Sequence, residues 1–113
     1  MIQNRNKLIE LLIGNLSNFA VHKILEKSIN KPELTSKYQK ESINSFNISL
    51  AYRNKVNPID KPLSNTDISY IKIKISNRVN SELSFRISKG YENIDLTLIN
   101  HEIEKVLKEL KIF

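Results

Sequence analysis

The chain has 113 residues, 40% of them hydrophobic, with no cysteine and a net charge of +6. That length supports one domain spanning residues 1–113, and the missing thiols exclude disulfide scaffolds, cysteine-ligated zinc, iron–sulfur clusters and cysteine nucleophiles. The charge suits an anionic partner, although abundant Ile (17), Asn (14) and Lys (14) beside two Ala also fit an A/T-rich coding bias. Its placement is uneven: residues 68–90 hold five bases against one acid, residues 91–113 three against five.

The first segment, about residues 3–28, carries Leu8, Leu12, Ile13, Leu16, Phe19, Val21, Ile24 and Leu25 around most of a helix circumference. Such a helix is central or lies between copies of the chain. Leu12, Leu16 and Phe19 are the residues expected to carry self-association, with a dimer as the expected homo-oligomer. Gly14 weakens the middle by about 1 kcal/mol relative to alanine. Glu10, Gly14, Asn15 and Asn18 interrupt the apolar run, so neither a secretory signal nor a membrane span is expected, and a cytoplasmic location is the default.

Asn30-Lys31-Pro32-Glu33 marks the next boundary, with Pro32 suited to a first helical turn and Glu33 to its positive end. The second segment, about 32–55, separates into an apolar half (Leu34, Tyr38, Ile43, Phe46, Leu50, Val56, with Ser42, Ser45 and Ser49) and a polar half. Small serines among bulky residues predict a close helix approach. Arg53 falls on the apolar half, where snorkelling outward is the expected outcome and an anionic ligand the alternative.

After the rigid turn Asn57-Pro58-Ile59-Asp60-Lys61-Pro62, Ser64 or Thr66 can cap a third helix over residues 67–89. Ile68, Ile71, Ile75, Val79, Leu83 and Ile87 recur at spacings of three and four, and Gly90 follows as a stop. A fourth helix starts at Asp95, a candidate N-cap, with Glu104 and Lys108 as an i,i+4 pair. The expected fold is an all-α, compact antiparallel four-helix bundle. The competing α+β reading makes residues 68–99 a three-stranded meander, because Ile71-Lys72-Ile73-Lys74-Ile75, Leu83–Ile87 and Ile94–Leu98 each alternate with period two.

Chemistry is hard to place. Only Gly14 and Gly90 are available for phosphate loops, and His22 and His101 are the only imidazoles, without metal-ligand spacing. Glu10 to Val21 is similar in its rhythm to the ribonuclease III signature helix. That family holds Mg²⁺ with an Asp directly after the glycine, and Asn15 stands there in this chain. Lys89-Gly90-Tyr91-Glu92-Asn93-Ile94-Asp95 resembles the His-Gly-Tyr-x-x-Ile-Asp run joining the last two long helices of HEPN helical-bundle proteins. The resemblance covers about 25 residues and implies a dimerising bundle of a toxin-associated ribonuclease type. The catalytic Arg-x4–6-His motif of that family is absent: Lys89 takes the histidine's place and Ser84 the arginine's.

Two functions are therefore expected. The first is a non-catalytic interaction or self-assembly module, with no enzymatic activity, cofactor, metal or small-molecule substrate. The alternative is a basic helical module for RNA or DNA, using Lys72, Lys74, Arg78, Arg86, Lys89 and Tyr91, with Tyr70 and Phe85 nearby as stacking platforms.

Overall fold

The computed structural model describes residues 5–29, 31–57 and 61–112. Helices α1 (Arg5–Ser28), α2 (Pro32–Val56), α3 (Asn65–Ser88) and α4 (Leu98–Glu109) account for its regular structure, and no strand occurs among the described residues. The fold is all-α, a four-helix assembly measuring 43 × 23 × 23 Å. The period-four reading of residues 68–87 is the correct one. Ile71 and Ile75 are fully buried while Ile73 between them is 61% exposed, a pattern no strand of alternating faces produces.

The helix α1 is the hub. α2 packs against it, α3 and α4 pack against it and against each other, and α2 touches neither α3 nor α4 at backbone distance. Three sides of α1 are thus covered, which explains why apolar residues surround most of its circumference. By length and composition α1 is apolar enough to cross a membrane; here most of that apolar stretch is buried in the protein. Leu12 and Leu16 are fully buried and Phe19 nearly so. This corrects the expectation that these three form a self-association face, because the chain's own α2, α3 and α4 occupy that surface.

The helix α2 folds back along α1 after a short connection, as a three-residue link between helices requires. Pro32 opens the helix as expected, with Lys31 at the N-cap. Its seam against α1 is built from Ser42, Ser45 and Ser49, all buried. Ser42 Oγ donates to Gln39 O at 2.9 Å and Ser49 Oγ to Ser45 O at 2.8 Å, so the hydroxyls are satisfied within their own helix. Ile43, expected on the apolar half, is 53% exposed, because the narrow serine seam brings only one side of α2 against α1.

Arg53 overturns both sequence expectations. It neither snorkels nor faces a ligand: it is completely buried. Nε donates to Leu110 O at 3.0 Å, Nη1 to Asn57 O at 3.0 Å, and Nη2 to Lys61 O at 2.9 Å and to Lys111 O at 2.7 Å. One guanidinium thus ties the end of α2, the approach to α3 and the segment after α4 into a single knot. Burial lowers its pKa from the ordinary value, yet a guanidinium stays protonated at any physiological pH. Leu110 and Ile112 fill the space beside it, both fully buried. The proline-bearing turn at 58–60 lies outside the described residues.

Ser64 caps α3, accepting from Asp67 N at 3.2 Å. The helix ends on Gly90 at φ 99°, with Gly90 N donating to Ile87 O and Tyr91 N to Arg86 O. That double closure is the Schellman arrangement glycine favours. α4 begins later than expected. Thr97 is its N-cap, while Asp95 Oδ1 accepts from Thr97 N at 3.0 Å and so shapes the turn before the helix. Glu104 reaches across to Lys72 of α3 instead of pairing with Lys108, and Glu102, almost fully buried, is held by Lys27 of α1.

Candidate functional site

A groove of about 910 Å³ runs between α1 and α3. Glu10, Gly14, Asn15, Asn18 and His22 line its α1 side, and Lys74, Asn77, Arg78, Ser81, Glu82 and Arg86 its α3 side. The groove follows from the residues that do not fill it. Gly14 offers no side chain, and the Arg78 guanidinium lies over it, so that a Cβ there would come 3.4 Å from Nη1. Asn15 turns its amide back to Leu11 O at 2.9 Å and leaves the space open.

Along α3 the residues Tyr70, Lys74, Arg78, Ser81, Phe85 and Lys89 follow at steps of four, four, three, four and four. On a helix of 3.6 residues per turn they occupy an arc of about 100°, one continuous ladder roughly 28 Å long. Three cation–aromatic pairs mark it and its lower edge. Lys74 Nζ stands 5.7 Å from the Tyr70 ring centre, Lys89 Nζ 5.4 Å from Phe85, and the Arg86 guanidinium 5.4 Å from Tyr91. Tyr70 and Phe85 are 42% and 56% exposed, so each ring keeps surface open to a ligand.

Acids temper the charge. Glu10 Oε2 lies 3.6 Å from Arg78 Nη2, and its other oxygen accepts from the Tyr70 hydroxyl, which holds that phenol above its ordinary pKa. Arg86 Nε donates to Glu82 Oε1 at 3.1 Å, and Arg86 Nη1 lies 3.4 Å from the Tyr91 hydroxyl. Of the six residues expected to bind nucleic acid, Lys74, Arg78 and Arg86 line the groove, Lys89 continues the ladder, and Tyr91 sits beneath Arg86. Lys72 does not join them: it lies over α4 with Glu104.

At the groove's far end His22 Nε2 lies 3.0 Å from Glu41 Oε2, and the ring stacks on Tyr38 at 6.0 Å. Nδ1 is buried without a partner among the described residues. Burial lowers the His22 pKa, assisted by Arg86 and opposed by Glu41 and Glu82. Burial first, and then its hydrogen bond with Tyr91, raise the Tyr38 phenol. With one nitrogen at Glu41 and the other enclosed, His22 presents neither to the groove as a base. His101 is exposed, and no group of three or more His, Asp or Glu among the described residues is placed to hold a metal.

Sequence reasoning missed Glu10, Glu82 and His22 as groove residues, since their place depends on how α1 and α3 are rotated against each other. The Tyr70 to Lys89 periodicity was the signal available. Comparison of the chain with protein-family models, with curated proteins and with solved structures finds no match in any of the three.

Proposed function

We propose that this protein is a non-catalytic module that binds single-stranded nucleic acid along the α3 side of the groove. The observation that carries this reading is the ladder itself: cations and exposed aromatic rings interleaved on one helix face, beside an open polar channel. Lys74, Arg78 and Lys89 supply phosphate contacts, while Tyr70 and Phe85 offer rings to unpaired bases, which a duplex keeps stacked inside. Glu10 is a weak competitor, because an exposed ion pair at 3.6 Å contributes about 0–1 kcal/mol, and a phosphate makes the stronger charge-assisted contact. The likeness of residues 89–95 to HEPN bundles supports the same partner class. Lys89 in the histidine's place argues against RNA cleavage.

Fluorescence anisotropy with labelled single-stranded oligonucleotides tests the reading. Three phosphate contacts give a slope of log affinity against log salt of about −2, and Lys74→Ala with Arg78→Ala lowers it to roughly −0.7. Phe85→Leu weakens single-strand binding with the slope unchanged. Absence of salt-dependent binding, or a double variant that binds like the parent, refutes the proposal.

A further inference from the structure

We infer that α3 pairs antiparallel with α3 of a second copy of this chain, through a face that neither the core nor the groove uses. That face is Ile73, Ser76, Asn80, Ser84 and Ile87. The steps are three, four, four and three, which keeps all five within an arc of about 80°. Read from either end, the order is the same: isoleucine, serine, asparagine, serine, isoleucine. The buried line Ile71–Ile75–Val79–Leu83, the cationic ladder and this stripe divide the circumference of α3 into three faces about 120° apart.

A two-fold pairing requires that if residue i meets j, then j meets i. A two-fold axis through Asn80, perpendicular to α3, meets that condition: Ile73 faces Ile87 of the copy, Ser76 faces Ser84, and Asn80 faces its equivalent. Ile73 and Ile87 are 61% and 42% exposed, large apolar side chains only partly covered in the single chain, Ile73 and Ser76 bordering a shallow crevice beside Asn100 and Ile103 of α4. The small serines beside the central residue allow two helix backbones to approach closely. Asn80 donates one amide hydrogen to Ser76 O at 2.8 Å and keeps its carbonyl oxygen for the partner, the way a central polar residue fixes register between paired helices.

Charge argues for the same partner. The five residues carry none, so two basic copies can meet here without opposing like charges, while Lys74, Arg78 and Arg86 face elsewhere. A partner recruited by charge would find nothing to bind on this stripe. The pairing also gives the chain a self-association surface in place of the interior Leu12, Leu16 and Phe19. One helix face covers less than the roughly 800 Å² per partner of standard complexes, so the pairing is sought at high protein concentration.

Sedimentation equilibrium on the full chain, from 10 to 500 µM, reads this directly. The expected result is a monomer–dimer equilibrium that stays constant between 50 and 500 mM salt, unlike nucleic-acid binding. Ile73→Lys alone and Ile87→Glu alone each weaken dimerisation at least tenfold. Both together in one chain restore it, because each introduced ammonium then faces an introduced carboxylate on the copy. Since the chain lacks cysteine, Asn80→Cys should cross-link to itself under mild oxidation faster than Asn44→Cys, an exposed site on α2. A monomer throughout, a double variant that stays monomeric, or equal cross-linking at the two sites overturns the inference. Thermal melts of each exposed-site variant verify that the fold is intact.

Discussion

Arg53→Met tests whether the buried guanidinium holds the fold together. Among the described residues Arg53 makes four hydrogen bonds of 2.7–3.0 Å, all to main-chain carbonyls. A hydrogen bond to a charged group contributes about 1.5–3 kcal/mol, so four simple increments would overshoot. The native state also bears the desolvation of a buried charge that, among the described residues, meets only carbonyls, several kcal/mol. In the variant the carbonyls of Asn57, Lys61 and Lys111, at the edge of the knot, can turn to water. Leu110 O, where the contact is buried, cannot. The balance is a loss of about 3 kcal/mol, since breaking a buried charged contact costs roughly 3–5 and part is recovered by shedding the charge. Urea unfolding followed by circular dichroism would show a lower midpoint at unchanged slope, with a melting temperature at least about 10 °C lower. Arg53→Lys should fare nearly as badly, because a compact ammonium cannot span the four carbonyls that a planar fork reaches. If Arg53→Met matches or exceeds the parent in stability, the knot is dispensable and the reasoning fails.

Two further outcomes follow from the groove. Burial depresses the His22 pKa, so the unfolded chain binds a proton that the folded chain resists as pH falls below 6.5. Stability is therefore full above that value and is lost through the window beneath it; melting temperature should fall between pH 7.5 and 5.5, less so in His22→Gln, and a rise on acidification contradicts the assignment. Gly14→Ala should stabilise α1 by about 0.5–1 kcal/mol, since the added Cβ meets only the mobile end of Arg78 at 3.4 Å, and destabilisation in urea melts would show that the close approach is tighter than that distance indicates.

The helices were legible because periodicity is local. Ile71, Ile75, Val79 and Leu83 declare a buried line without reference to anything else, and Pro32, Ser64 and Gly90 mark ends through their own backbone chemistry. The apolar residues covering most of the α1 circumference announced a hub. What it could not announce was which neighbours cover it, so the same residues read equally well as an interface between copies. Arg53 was visible as an anomaly on an apolar face. Its resolution needed the carbonyls of residues 61, 110 and 111, which only the folded chain brings together. The groove was half legible: Lys74, Arg78 and Phe85 share a face by spacing alone, whereas Glu10, His22 and Gly14 enter through the rotation of α1.

The hub arrangement has a consequence for synthesis. α1 leaves the ribosome ahead of α2, α3 and α4, yet Leu110 and Ile112, which close the assembly, follow about 80 residues later. At roughly 5–20 residues per second, its oily surface waits some 4–16 seconds for full shelter, with α2's thin serine seam the earliest available cover. Nascent chains stalled before residue 110 should therefore be captured by chaperones that bind exposed aliphatic helices, and released chains should not.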